Sequence, residues 1–209
     1  NTVVCGETGV GKELVVRLLH QQSGVSRGPF VRVNCAAMPD TLLESEMFGY
    51  DKGAFTGAVR DMRGKFEQAE DGVLFLDEIG DMSLSLQSKL LHALQDGEYV
   101  PLGSERPVKS NAWVIAATNH DLEKDIETEK FRTDLYYRIC TIKIQIAPLR
   151  HRPEDIIPLI SYLTNRYAAQ LNRQPPPQLS EEALNKLCAY HWPGNVRELQ
   201  NVLRRIIVL

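Results

Sequence analysis

The chain alternates short apolar runs with amphipathic stretches. Thr2-Val3-Val4-Cys5 predicts a short strand with a Gly-rich turn behind it. Residues 12–22 read as a helix, with Leu14, Leu18 and Leu19 on one face. Phe30-Val31-Arg32-Val33 alternates as a strand does. Residues 42–48 read as helix and 49–58 as a Gly-rich loop. Val73-Leu74-Phe75-Leu76 is an unbroken apolar run between Gly72 and Asp77, which suits a strand buried on both faces of a parallel sheet. Ser83 is placed to cap a helix reaching Gln95, with Leu86, Leu90 and Leu94 four residues apart. Trp113-Val114-Ile115-Ala116 predicts the next buried strand, and residues 143–146 one more. Strands alternating with helices predict an α/β fold with a parallel sheet.

The pattern changes near Pro148-Leu149-Arg150. Residues 155–171 read as helix, and Arg173-Gln174-Pro175-Pro176-Pro177 is too Pro-rich to continue one. Ser180 is placed to cap another helix, with Glu181 and Glu182 in a first turn where carboxylates offset the dipole. Gly194 precedes a last helix beginning at Asn195. The expected organisation is an α/β domain over residues 1–150 and a small all-helical lid over 151–209. The chain opens directly on a strand and closes on an apolar helix, so it reads as a fragment, the first domain truncated at its N-terminus and the second at its C-terminus.

Composition narrows this only a little. An apolar share of 43% in 209 residues is that of a folded protein able to bury a core. A net charge of −3 offers no bulk basic surface of the kind that grips a nucleic-acid backbone. Cys5, Cys35, Cys140 and Cys188 form no C-x-x-C pair and match no zinc spacing, so they read as small core residues in a reducing, cytoplasmic setting. No apolar run is long enough to span a membrane.

The chemistry concentrates in two places. Gly6-Glu7-Thr8-Gly9-Val10-Gly11-Lys12 follows a strand and opens a helix, the context of a phosphate-binding loop. Glycines let such a loop turn its N–H groups onto phosphate oxygens, the helix N-terminus adds partial positive charge, and Lys12 adds a full one. The generic pattern has Ser or Thr next, to touch Mg²⁺, but Glu13 stands there. By itself the run could be a Gly-rich turn. Val73-Leu74-Phe75-Leu76-Asp77-Glu78 supplies the second place: a buried strand ending in two acids sets them at the sheet's carboxyl edge, where α/β folds bind ligands. Asp77 is suited to hold Mg²⁺, and Glu78 to polarise a water towards a terminal phosphate. Either motif alone has a bland reading; together they indicate a nucleotide site.

At these residues the chain resembles the central AAA+ ATPase domain of sigma-54-dependent transcription activators, the bacterial enhancer-binding proteins. Gly6-Glu7-Thr8-Gly9-Val10-Gly11-Lys12-Glu13 is similar to their phosphate loop, where Glu after the Lys is usual, although Val10 replaces a commoner Thr. Gly53-Ala54-Phe55-Thr56-Gly57-Ala58 matches the family's six-residue signature at every position. The likeness runs the length of the chain. It implies that Phe55 and Thr56 touch sigma-54 when ATP is bound; read alone, the segment is a Gly-rich surface loop. Asn34 matches the switch residue that restrains the catalytic Glu, although an Asn there also suits a simple turn. Asn119 matches the sensor that orients water or reads the γ-phosphate. Arg132 and Arg138 match the arginine fingers offered to a neighbouring subunit, where the bland reading is a solvated helix face. Arg197 matches the lid sensor, unless it pairs with Glu182 or Glu198. Residues 99–111 lie where the family's second surface loop does.

The resemblance implies ATP and Mg²⁺ as cofactors, a ring of copies (a hexamer), sigma-54 RNA polymerase holoenzyme as partner, and DNA contacted through a C-terminal domain outside this sequence. The expected activity is ATP hydrolysis that drives the closed promoter complex to the open one. Two other readings share the site: a different AAA+ remodelling ATPase, which would lack the 53–58 signature, and a nucleotide-gated scaffold without turnover.

Overall fold

The computed structural model describes residues 1–173 and 175–208; Gln174, within the Pro-rich break, and Leu209 lie outside the described residues. The described chain forms two compact units.

The first unit holds, in chain order, β1 (Thr2–Cys5), α1 (Lys12–Gln22), β2 (Phe30–Asn34), α2 (Asp40–Phe48), β3 (Gly49–Tyr50), β4 (Met62–Arg63), α3 (Lys65–Gln68), β5 (Val73–Asp77), α4 (Leu84–Asp96), β6 (Glu98–Tyr99), β7 (Val108–Lys109), β8 (Trp113–Thr118), α5 (Leu122–Glu127), α6 (Thr133–Ile139) and β9 (Ile142–Gln145). Five strands make one parallel sheet in the order β2-β5-β8-β1-β9. Two short antiparallel pairs, β3 with β4 and β6 with β7, stand apart from it.

The apolar run at 73–76 is buried as its composition requires, with Val73, Leu74, Phe75 and Leu76 all at full burial. Leu74 and Leu76 join a core with Val3, Val114 and Ala116 and with Leu43, Leu86, Leu90 and Leu135 from the helices. The intervening residues Val4, Phe75 and Ile115 lie outside that cluster and are equally buried, and α1 packs against β1, β5 and β8. Each such side chain contributes roughly 1.5–3 kcal/mol. Ser83 caps α4 by accepting from the Leu86 N–H, and Gly97 ends it in the left-handed region.

Helix α1 differs from expectation in one respect. Leu14 and Leu18 share a face, but it is the outer one, 67% and 51% exposed; Lys12 and Val16 point inward. Spacing of four describes either stripe equally well, and only the sheet decides which is covered. Cys5 and Cys35 are buried, and burial pushes the Cys35 thiol up to about 12; Cys140 and Cys188 are half-buried.

The second unit comprises Gly6–Gly11 together with the described residues from Ile146 onward. Its helices are α7 (Ile156–Gln170), α8 (Glu181–Ala189) and α9 (Asn195–Val208), around a core of Leu149, Ile156, Ile160, Leu163, Trp192, Leu199 and Leu203. Ser180 caps α8 by accepting from the Ala183 N–H, and Glu181 and Glu182 occupy its first turn.

Candidate nucleotide site and surface loops

The parallel registers decide where the chemistry falls. Asn34, the last residue of β2, lies beside Asp77, the last of β5, and Asp77 lies beside Ala117, one residue before the end of β8. Polar residues from neighbouring strands therefore collect along one edge. Lys12, the first residue of α1, is only 7% exposed, and its Nζ stands 3.5 Å from Glu78 Oε1. Glu78 Oε2 accepts from the backbone N–H of Asn119 at 3.1 Å. The first unit thus brings together Lys12, Asp77, Glu78 and Asn119.

Glu78 has a left-handed backbone, φ 54° and ψ 53°, unusual for a residue with a side chain. Such strain persists only where surroundings impose it, and it clusters at functional sites. Here the 3₁₀ turn behind Glu78, Ile79–Asp81, is gripped by His120. The His120 ring stands 3.3 Å from Asp81 through Nε2 and 2.8 Å from Asp125 through Nδ1. It also lies so close to Gly80 that an added Cβ would meet the ring carbon at 2.7 Å.

Asp77 is held by a residue that sequence reading did not single out. Arg32 donates to Asp77 Oδ2 at 2.6 Å and to Glu13 Oε2 at 2.7 Å, while Arg17 donates to Glu13 Oε1 at 2.9 and 2.7 Å. One guanidinium thus neutralises two carboxylates from different elements, Glu13 of α1 and Asp77 of β5. Among the described residues no three His, Cys, Asp or Glu side chains group to hold a metal. The adjacent carboxylates Asp77 and Glu78 are a donor set of the size Mg²⁺ takes, one or two carboxylates with water and phosphate oxygens completing its shell.

Asn34 spends its side-chain oxygen on the Ala36 N–H at 3.0 Å, a local turn. Arg132 pairs with Asp134 at 3.0 and 2.7 Å, and Arg138 donates to the Leu94 carbonyl through Nε at 3.1 Å. Both arginines are thus engaged by groups on or beside α6.

Residues 53–58 form a closed surface loop. Gly53 N–H donates to the Ala58 carbonyl at 2.9 Å, and Ala58 N–H to the Phe55 carbonyl at 3.0 Å. Phe55 remains 45% exposed, its ring set edge-on to Tyr50 with centroids 4.9 Å apart. The segment touches the second surface loop: Asp51 N–H donates to the Leu102 carbonyl at 3.0 Å, and Gly103 sits against Ala54.

In the second unit the loop Gly6–Gly11 has its own partners. Gly6, Gly9 and Gly11 all take positive φ. Glycine is required most clearly at Gly9, where an added Cβ would fall 2.4 Å from the Gly194 carbonyl oxygen. Arg197 N–H donates to the Gly9 carbonyl at 3.3 Å, so the backbone of Arg197 lies at the loop. Glu182 accepts from Lys186 at 2.7 Å, and Glu198 from the Gly194 N–H at 2.9 Å.

A parallel sheet with a glycine turn after β1, a lysine opening α1 and an acid pair at the end of β5, with a helical unit after it, defines a nucleoside-triphosphate-binding fold of the P-loop class. The match to known families is narrower. Residues 1–145 match the Sigma-54 interaction domain and residues 150–209 match the AAA+ ATPase lid domain. The chain belongs to the sigma-54 interaction domain family. It is 51% identical to the DNA-binding transcriptional activator HyfR of Escherichia coli over 99% of its length, which is 31% of HyfR. It is 50% identical to the sigma54-dependent transcriptional activator SfnR of Pseudomonas putida over its whole length, which is 57% of SfnR. The chain therefore spans roughly a third to three-fifths of these relatives. The crystal structure of NtrX from Brucella abortus in complex with ATP superposes with a TM-score of 0.92 at 34% identity, over 99% of this chain and 45% of NtrX. Among the described residues no helix is long and apolar enough to cross a membrane.

Proposed function

We propose that this chain is the ATP-hydrolysing motor domain of a transcription activator that remodels the closed promoter complex of sigma-54 RNA polymerase into the open one. The observation that carries the reading is the approach of Lys12 Nζ to within 3.5 Å of Glu78, next in sequence to Asp77. A lysine at the end of a glycine turn and an acid pair at a strand end occupy one patch, as phosphate binding and hydrolysis both need. Membership of the sigma-54 interaction family and the likeness to NtrX, whose structures include complexes with ATP and ADP, support it.

In this reading residues 1–150 are the α/β ATPase domain and 151–209 the lid. The N–H groups of Gly6, Glu7, Thr8, Gly9, Val10 and Gly11 face the phosphates, Lys12 adds charge, and Glu13 stays on the Arg32 side of the loop. Asp77 holds the magnesium ion, which when bound neutralises phosphate charge. Glu78 polarises the attacking water, Asn119 orients it, and Asn34 restrains Glu78. Arg197 reads the nucleotide from the lid. Arg132 and Arg138 serve the site of the neighbouring copy in a ring, a hexamer by family likeness; a finger of this kind raises turnover by about 10³–10⁵. Phe55 and Thr56, with Gly53, Ala54, Gly57 and Ala58, deliver the stroke to sigma-54. The contact of Ala54 with Gly103, and the bond from the Asp51 N–H to the Leu102 carbonyl beside it, support a reading in which the two surface loops move together. The full-length protein works in the cytoplasm and contacts DNA through another domain.

Glu78→Ala tests the assignment. It is expected to leave ATP binding in place and to abolish phosphate release; turnover at the wild-type rate would refute the role.

A further inference from the structure

The second unit contains a cluster that none of these roles uses. Glu7 is a carboxylate inside the loop that is to receive a polyanion. Arg150 donates to both its oxygens, Nη1 to Oε2 at 2.8 Å and Nη2 to Oε1 at 2.6 Å. Asn195 Nδ2 donates to Glu7 Oε2 and to the Thr8 carbonyl, each at 3.1 Å. Asn195 Oδ1 accepts from the Leu149 N–H at 2.7 Å. Asn195 is wholly buried and has a left-handed backbone, φ 52°. A buried amide that spends both its ends this way, on a backbone most residues avoid, is set to one purpose.

We propose that Arg150 and Asn195 are positioning residues for nucleotide binding: they latch the phosphate loop to the rest of the second unit and cancel the charge of Glu7. Two physical consequences support this. The first is geometric. The Thr8 carbonyl is held by Asn195, the Gly9 carbonyl by the Arg197 N–H at 3.3 Å, and the Val10 carbonyl by Arg152 Nη2 at 3.0 Å. A trans peptide sets its N–H opposite its C=O. Anchoring those three carbonyls therefore sets the N–H directions of Gly9, Val10 and Gly11; the Val10 N–H closes the turn on the Glu7 carbonyl at 3.4 Å, and those of Gly9 and Gly11 are the donors a phosphate would meet. The second is electrostatic. A bare carboxylate in this loop would repel a triphosphate at short range, and a bidentate guanidinium removes that repulsion.

The latch rests on the nucleotide reading above, and the test separates the two. Binding of a fluorescent ATP analogue with Mg²⁺ is titrated for the 209-residue chain and its variants, with nucleotide-free thermal melts as a check on folding. Arg150→Met leaves Glu7 uncompensated and is expected to weaken binding about tenfold or more, an effect that shrinks as salt rises. Adding Glu7→Gln to it removes the offending charge and should restore affinity to within about threefold of wild type. A brace without an electrostatic role predicts the reverse, since the double variant lacks the ion pair and gains nothing. Asn195→Gly keeps the left-handed backbone at ease while deleting the amide, and should weaken binding in a chain that still folds; Arg150→Lys, which keeps the charge, should retain most of the affinity. If the wild-type chain binds no analogue, the nucleotide reading fails. If it binds and Arg150→Met and Asn195→Gly match it, the latch is overturned. A double variant as weak as Arg150→Met overturns charge cancellation.

Discussion

Two glycines in this chain have nearly the same backbone and different surroundings, so they allow one contact to be weighed. Gly9 has φ +84° and Gly53 has φ +87°. An added Cβ at Gly53 would meet nothing within 4 Å; at Gly9 it would lie 2.4 Å from the Gly194 carbonyl oxygen and 3.0 Å from Arg197 Cβ. Gly53→Ala therefore carries only the cost of a side chain in the left-handed region, about 1–2 kcal/mol. Gly9→Ala carries that cost and a backbone collision, and overpacking of this kind adds about 1–3 kcal/mol. Relief requires Gly9 and Gly194 to part by over half an ångström (roughly, given that real Cβ contacts stay beyond about 3 Å), which also stretches the 3.3 Å bond from Arg197 to Gly9. Urea unfolding followed by tryptophan fluorescence suits the comparison when each tryptophan is read alone, in Trp113→Phe and Trp192→Phe backgrounds, because Trp192 is buried in the helical unit and Trp113 opens β8. Gly9→Ala is expected to destabilise the Trp192 transition by about 2–4 kcal/mol, and Gly53→Ala to leave it in place while lowering the Trp113 transition by at most about 2 kcal/mol. Equal losses for the two variants at Trp192, or none for Gly9→Ala, would refute the close approach of the phosphate loop to Gly194.

Two other outcomes follow from the same geometry. Leu90, on α4, is fully buried in the main core, so Leu90→Ala should cost about 2–5 kcal/mol in urea unfolding. Hydrogen bonds from Arg150, then from Asn195, lower the Glu7 carboxyl from 4.5 to about 2. A depressed pKa gives stability that is complete above the unfolded value and lost as pH falls through the folded one. The stability difference between wild type and Glu7→Gln should therefore hold above about pH 4.5, shrink as pH falls towards about 2, and vanish only below it in acid-unfolding curves. Because Glu7 is partly solvated, the difference should stay below about 1 kcal/mol.

What could be read in the chain without coordinates was whatever depended on neighbours in sequence. The run at 73–76 has no polar position to turn outward, which suits a doubly buried strand, and β5 is one. Ser83 and Ser180 precede amphipathic stretches by one residue and cap them. The spacing of Leu14 and Leu18 signalled a helix but not which stripe the sheet covers, because the covering residues come from strands far along the chain. The partners of the candidate site were hidden for the same reason. Arg32 reaches Asp77 across 45 positions, and Arg150 reaches Glu7 across 143. Nothing local in Phe30-Val31-Arg32-Val33 distinguishes an arginine bound to two acids from one in water. His120 was likewise silent, although it follows Asn119 directly, because its grip on Asp81 and Gly80 depends on β5 and β8 lying side by side.

The sheet also explains why the acid pair has little freedom. Strands β2, β5 and β8 are parallel neighbours in continuous register, and their carboxyl ends are nearly level. Each contributes a polar residue to that edge: Asn34 ends β2, Asp77 ends β5, and Asn119 follows β8. Beyond the last ladder bond the chain must turn, and Glu78 turns through a left-handed conformation. Three contacts from different elements share the task of holding it there: Lys12 of α1, the N–H of Asn119, and the Ile79–Asp81 turn clamped by His120. Side chains in a strand alternate faces, so shifting β5 by one residue would exchange Leu74 and Leu76 for Val73 and Phe75 in the main core and carry Asp77 out of line with Asn34. Both faces of β5 are apolar, so the fit of those four side chains into two differently packed faces, rather than burial alone, resists the slip and keeps the carboxylates in place: the core of the sheet and the geometry of the site are set by one register.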